Sequence, residues 1–550
     1  MERANIPTTE ITALLLLLGA AALVAAPSYA ETHFNIAPWA SRLYRREPEI
    51  YWDCPWRFMR GRPLPMAMIV KDARQFPAVL HEPVINATCG GKTYRLNVRS
   101  NLKFPAKADV PFFYAVMEVD FPEEAAGPVL VSPKMRVQIG SKERTVGVSS
   151  HPAFSKEPLR VYAAQNELPR LPGWTYAEMH THSWHTSDQI EFGAPPALIS
   201  LFGGAVGLEW VFVTDHSFDL VTPVGRWFGI DPDGERWKQL EREIEAVNES
   251  NTGARLIRGE EVSCGSADQK NLHLLVYGSP ELIPGSGDAG KGWKIWRNDP
   301  DITLEQALQT ARQNGAAAFA AHPMHRLSLG ERIALNRSSW GESDLAQALD
   351  GIEVWNRNIP ERMEESRARW IKMLLNGYRK PGIAGSDAHG DFNRSRRVKV
   401  PFISVTEDFN EGFGRPRTAL YAPGGTRAEL FNALKTGKAV MTNGPFVHFE
   451  IEADGAKRVE MGETAVGRNI AAQIHAVSTE EFGAVRRTSL MVGRIGAEEE
   501  RSIVLGEHVG YERKFHTRLA LDADSYLRVE CETESGLAMT NPIWIDAPES

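Results

Sequence analysis

The sequence predicts an α/β protein: a closed or nearly closed seven-stranded β/α barrel, flanked by N- and C-terminal β-sandwich domains. Three observations predict it. Between residues 172 and 445, short apolar runs of strand length alternate with helical stretches. Outside that span, only short alternating strand-like runs occur. Within it, the residue just past an apolar run is repeatedly His, Asp or Glu, as where strand ends converge on one face of a barrel. An open doubly wound sheet gives the same alternation, and the pattern leaves both arrangements open.

The chain begins with a segment outside the fold. Ala13 to Ala26 is a continuous apolar run, and Pro27-Ser28-Tyr29-Ala30 follows with small residues where a signal peptidase reads. Residues 1–30 are therefore expected to be a signal peptide cleaved after Ala30, leaving a periplasmic or secreted protein. The apolar run is shorter than the roughly 20 residues a bilayer span needs, and no later segment is long and apolar enough, so no membrane span is expected after cleavage. At 550 residues, 43% hydrophobic and 24% charged, the rest is globular in composition and too long for one core. A formal charge of −8 gives no electrostatic case for a nucleic-acid partner. Of the four cysteines, Cys54 and Cys89 could pair within the N-terminal region, while Cys264 and Cys531 read as free. Three connectivities remain possible on sequence grounds. No Cys-x-x-Cys spacing indicates a thiolate zinc site.

Residues 31–171 read as a β-rich domain. Tyr94 to Val98 and Met135 to Ile139 alternate, while Phe112 to Val119 and Val129 to Val131 are apolar. Pro152 to Pro172 reads as a linker. In 172–445, strand-like runs fall at Tyr176–His180, Trp210–Thr214, Arg255–Val262, Leu272–Tyr277, Ala316–Ala321, Gly351–Trp355 and Gly382–Ser386. Thr303-Leu304-Glu305-Gln306 is a capping box that opens a helix. Glu361 to Asn376 and Thr426 to Thr436 are further helices, each followed by Gly. Residues 446–550 alternate again, as at Val447–Ile451 and Tyr526–Glu530, and read as a second sandwich.

His180 and His182 lie two apart after an apolar run, so in an extended chain both imidazoles leave the same face. Asp188 follows on the loop. Asp215 and His216 end the second run, Glu261 the third and His322 the fifth; Asp387 and His389 follow the seventh, and His273 sits inside the fourth. A single His beside an apolar run is ordinarily a hydrogen-bonded core residue. Recurrence at nearly every strand end has no such explanation, so His180, His182, Asp188, His216, Glu261, His273, His322, Asp387 and His389 are expected to bind metal. Mixed imidazole and carboxylate donors suit Zn, Mn or Fe equally well.

The motifs Ala177-Glu178-Met179-His180-Thr181-His182, Thr214-Asp215-His216, Gly259-Glu260-Glu261, Leu272-His273-Leu274, His322-Pro323 and Ser386-Asp387-Ala388-His389 resemble, in order, those of the PHP (polymerase and histidinol phosphatase) metallohydrolases. Arg417-Thr418-Ala419-Leu420-Tyr421 and Gly437 to Pro445 resemble the CehA/McbA-type branch, named for carbaryl hydrolases. Glu178 stands where Asp is usual, and the loop to Asp188 is one residue longer than is common, which makes His185 a rival ligand.

This resemblance implies a distorted seven-stranded barrel with two to three divalent ions. His180, His182, Glu261 and Asp387 would hold one; Glu261, as a bridge, with His273 and His322 a second; Asp188, His216 and His389 a third. Ions bridged by Glu261 would lie about 3.5–4 Å apart and acidify a shared water towards ~7. Glu261, Asp215 and Asp387 are the expected catalytic residues, with Asp215 either orienting a ligand, relaying a proton or capping a turn. The expected activity is hydrolysis of a small-molecule phosphoester. A carbamate or carboxylic ester hydrolase on the same site, and a non-catalytic metal- or glycan-binding protein, are the alternatives. Selectivity is expected from connections carrying Trp227, Phe228, Trp293, Trp296, Arg326, Arg332, Arg394, Arg396 and Arg397. The sequence does not fix the oligomeric state.

Overall fold

The computed structural model describes residues 47–548 apart from 151–154, 187–192, 225–228, 289–298, 325–326, 328, 391, 394–395, 401–402, 408–411 and 507–509. Asp188, Trp227, Phe228, Trp293, Trp296, Arg326 and Arg394 lie outside the described residues, as does the whole of the expected signal peptide.

Strand dominates the molecule. The N-terminal part has a four-stranded antiparallel sheet built on Leu64–Lys71 and Phe112–Asp120, and an eight-stranded sheet built on the long strand Gly127–Ile139. Gly127–Ile139 alternates buried and exposed side chains, as expected for a sheet with one face on a core. The linker expected over Pro152 to Pro172 instead contains the strand Leu159–Ala164, which pairs with Gly127–Ile139 on one side and Arg57–Met59 on the other. All four cysteines are free, so the Cys54–Cys89 pairing does not form.

The expected α/β architecture, a seven-stranded β/α barrel between separate sandwiches, does not form. The seven site-bearing strands belong to a 15-stranded sheet that continues into C-terminal strands. Two features of the chain account for this. Arg255–Gly265 and Asn271–Tyr277 form an antiparallel hairpin with no helix between them, which breaks the β/α repeat. The outer edge of Trp174–Thr181 is taken by Arg417–Tyr421, antiparallel, and the sheet runs on through Ala439–Thr442 to Leu537–Thr540 and Ser525–Glu532. Apolar side chains from N-terminal, central and C-terminal strands merge in one core, with Tyr51, Trp174 and Phe446 among them.

Parallel pairing survives locally. Trp174–Thr181, Trp210–Val213 and the first half of Arg255–Gly265 run parallel, as do Ala317–Ala320, Gly351–Asn356 and Gly382–Gly385. Parallel neighbours deliver their C-terminal ends to the same edge, where loops carry polar side chains. The sheet curls so that the loop after Gly382–Gly385 meets Trp174–Thr181: Asp387 N donates to His180 O at 2.8 Å and His182 N to Ala388 O at 2.9 Å. The helices predicted from capping signals form as Leu304–Gln313, Pro360–Leu375 and Arg427–Thr436, the first and last with Thr303 and Thr426 as N-caps in reciprocal capping boxes.

Candidate metal centre

Strand alternation aims the first ligands. His180 and His182 leave one face of Trp174–Thr181 and the residue beyond it, and both are fully buried. The same alternation separates Glu260 from Glu261. Glu261 turns to the histidines, whereas Glu260 faces the other way and accepts from Ile283 N at 3.0 Å. Asp387 and His389 arrive on the returning loop just described.

The described members of the expected metal set gather in one cluster. His180, His182, Glu261 and Asp387 offer ligand atoms that all lie within 4.8 Å of one another; so do His182, His216 and His389, and so do His216, Glu261 and His273. Glu261 joins the sets because its two oxygens face different neighbours. Oε2 lies 3.3 Å from His180 Nε2, 3.4 Å from His182 Nε2 and 3.1 Å from His216 Nδ1. Oε1 lies 2.6 Å from His273 Nδ1 and 2.8 Å from His322 Nε2. Asp387 Oδ1 closes the first set, 3.4 Å from His180 Nε2 and 3.3 Å from His182 Nε2. His389 enters by ring stacking, 4.0 Å from His182 between centroids. These buried groups could hold a metal ion.

Four of these side chains, His180, His273, His322 and Asp387, sit on residues held from behind, which fixes their orientation. Glu353 lies 3.2 Å from His180 Nδ1 through either oxygen and also accepts from His322 N at 2.8 Å. Asp288 contacts His273 Nε2 at 2.8 Å and is itself held by Arg337 Nε at 2.6 Å. Arg357 donates to Asp387 Oδ2 through Nε at 3.2 Å and through Nη2 at 2.9 Å, leaving Oδ1 turned to the imidazoles. Three non-glycine residues here hold left-handed backbone: His322 at φ 27°, Asp387 at 54° and Arg357 at 60°. Such conformations cost ~1–3 kcal/mol each and persist where the surroundings over-determine them.

Of the expected catalytic residues, Asp215 sits apart from the cluster's interior. Its Oδ1 accepts from Ser183 N at 2.7 Å, Thr186 N at 3.1 Å and Thr186 Oγ1 at 2.8 Å, and its Oδ2 from Ser183 Oγ at 2.6 Å. It fastens the turn after His182, and Thr186 Oγ1 in turn lies 3.2 Å from His182 Nδ1. The geometry is that of a turn cap that orients a ligand. His185, the rival to Asp188, is engaged elsewhere: its Nε2 meets Glu243 Oε2 at 3.0 Å.

The electrostatics follow from packing carboxylates and imidazoles out of water. Burial raises the Glu261 carboxyl, but His273, His216 and His180 outweigh it and hold the group well below the usual carboxylate range. Burial lowers His180 and is outweighed by Glu353, Asp387 and Glu261, which hold the imidazole well above its ordinary value. His182, with burial again opposing hydrogen bonds to Asp387 and Glu261, is pushed up to about 9. Binding a divalent cation would displace the proton from any imidazole that carries one, because the ligand form of His is neutral.

Sequence reasoning missed the supporting shell. Glu353 was detectable as the lone carboxylate in the apolar strand Gly351–Asn356. Asp288, Arg337 and Arg357 come from irregular segments, which carry no period to mark them.

No family model matches the chain, and no curated protein matches it. Among solved structures, red sea bream transglutaminase aligns at 9% identity over 90% of this chain and 96% of its own, with a TM-score of 0.16. A putative glycoside hydrolase from Bacteroides vulgatus aligns at 10% identity, over 88% of this chain and 100% of its own, with a TM-score of 0.19. A Paenibacillus cycloisomaltooligosaccharide glucanotransferase aligns at 9% identity over 90% and 71%, with a TM-score of 0.17. Scores this low carry no argument about fold or function.

Proposed function

We propose that this chain is an exported metal-dependent hydrolase acting on small-molecule phosphoesters, related to the PHP metallohydrolases. The observation that carries the reading is Glu261: one buried carboxylate reaches His180, His182 and His216 through one oxygen, and His273 and His322 through the other. A carboxylate so placed could be shared by two adjacent cations. His180, His182 and Asp387 would complete the first set; His273 and His322 the second; His216 and His389, grouped with His182, would border a third. Bound divalent cations of the Zn, Mn or Fe type supply Lewis acidity and a water deprotonated near neutral pH.

The chain's own residues do the rest. Glu353 and Asp288 hold His180 and His273 by the nitrogen remote from Glu261, so that the other nitrogen stays aimed inward. Arg357 takes one oxygen of Asp387 and places a fixed positive charge at the pocket's edge. Asp215 keeps His182 in register through Thr186. The leader-like stretch Ala13 to Ala30 supports export.

The CehA/McbA-like stretches Arg417–Tyr421 and Gly437 to Pro445 favour a second reading, a carbamate or carboxylic ester hydrolase on the same site. A panel of aryl phosphates, nucleotides and aryl carbamates, run with Zn, Mn and Fe, separates the two. Turnover of phosphoesters supports the first reading and turnover of carbamates alone replaces it. Inactivity on the whole panel with every metal counts against both.

A further inference from the structure

Strand alternation gives the N-terminal four-stranded sheet two apolar faces. Trp52, Met66, Met68 and Val70 point into that part's own core, whereas Tyr51, Ala67 and Ile69 point the other way, into the core shared with Phe392 and Phe413. Glu49–Asp53, Leu64–Lys71 and Phe112–Asp120 are neighbours in this sheet, with Tyr51 opposite Ile69 and Ile69 opposite Tyr114. The second face thus packs on the central part of the chain.

Two strands of that sheet touch loops that carry candidate metal ligands. Asp53 shares its parity with Tyr51 and is fully buried; its carboxylate accepts from Asn393 N at 2.9 Å through Oδ1 and from Phe392 N at 3.0 Å through Oδ2. Asn393 Nδ2 donates to Arg160 O at 2.7 Å, a second tie to the N-terminal part. His389 lies three residues before Phe392 on this loop. On the neighbouring side, Phe112 and Tyr114 meet the Trp184 ring nearly at right angles, 5.7 and 6.3 Å between centroids. Trp184 lies two residues past His182. Both ties therefore act on the His182, His216 and His389 group. The residues behind His273 and His322, namely Asp288, Arg337 and Glu353, belong to the central part instead.

We propose that Asp53 is a positioning residue for His389, and that the N-terminal sheet thereby sets how tightly His182, His216 and His389 hold a divalent cation. The proposal rests on the reading that the buried cluster binds metal. Asp53 acts through the backbone of residues 392–393. A carboxylate suits the place because both of its oxygens face N–H donors, a demand that a neutral amide meets at one end only.

The test is a competition titration of the chelated full chain with Zn against a chromophoric chelator, on wild type, Asp53→Asn and Val131→Ala. Val131 is buried in the N-terminal part's own core, so its truncation loosens that part without removing the tie. Wild type should take up three ions per chain. Asp53→Asn should weaken one of them by about ten-fold, the low end for changes behind a ligand, and leave the other two as in wild type. Val131→Ala should lower the midpoint of chemical denaturation and leave all three affinities unchanged. A wild-type chain that binds no ion defeats the metal reading itself. Where metal binds, the proposal alone is overturned by uptake of fewer than three ions, by Asp53→Asn binding as wild type does, or by all ions weakening together in that variant. Should Asp53→Asn fail to fold, Asn393→Ala removes the second tie and should weaken the same ion by a smaller factor; unchanged binding there overturns the proposal.

Discussion

Two buried clusters of charge in this molecule look alike in composition and differ in how their charges are closed. At Arg528 the guanidinium sits between carboxylates: Nε reaches Glu500 Oε1 at 2.7 Å, Nη2 reaches Glu500 Oε2 at 2.5 Å, and Nη1 binds Glu530. Arg367 then grips both oxygens of Glu530 at 2.7 Å. Two permanent cations meet two anions in fork geometry, and the set is complete. At Glu261 the neighbours of the carboxylate are imidazoles, whose charge is optional, and their nitrogens converge at 3.1–3.4 Å on Oε2 rather than pairing off. Burial and charge density therefore do not mark a metal site. Donors that share a centre, and can all be lone-pair ligands at once, do.

The largest effect expected from that contrast is at the bridge. Glu261→Gln should lower hydrolytic activity by ~10³-fold or more, beyond the ~10–100-fold of changes behind a ligand, with measured metal content falling in parallel. Arg528→Met should do the reverse: it leaves two buried carboxylates short of a cation, costs about 3–5 kcal/mol in chemical denaturation, and leaves metal content unchanged. A loss of metal in Arg528→Met would break the comparison outright. Smaller again is Glu353→Gln, which keeps its size and weakens its hold on His180. Metal affinity should fall ~10–100-fold in a competition titration, with folding intact.

The smallest effect is a pH dependence. In chelated protein His182 is pushed up to about 9, above its ordinary value of 6.5. A raised His contributes stability that is fully present below about 6.5 and is lost as pH rises through about 9. Metal binding needs the neutral ring, so metal affinity should climb across that same window while the stability of the metal-free protein declines. Thermal melts of chelated protein from pH 6 to 9.5, beside metal titrations, read both slopes; slopes of the same sign contradict the assignment.

The site was more legible than the fold. The convergence of His180, His182, Glu261 and Asp387 was readable because all four sit at or near where a strand's period hands over to a loop, and that signal survives whatever the strands do next. The architecture was not readable from the same runs. An apolar run states that a strand is buried, not which neighbour takes its edge, and Arg417–Tyr421 beside Trp174–Thr181 is a pairing across more than two hundred residues. The hairpin of Arg255–Gly265 with Asn271–Tyr277 was within reach, since too few residues separate them for a crossover helix. Asp215 shows the opposite limit: its motif left ligand orientation, proton relay and turn capping open, and only the donors around it point to the cap.

The most direct test is the metal content of the purified wild-type chain and of Glu261→Gln, each loaded with Zn, Mn or Fe, dialysed and measured by mass spectrometry of the elements. The account predicts at least two tightly held ions per wild-type chain and their loss together in the variant. A wild-type chain that retains none, or a variant that retains the wild-type number, contradicts it.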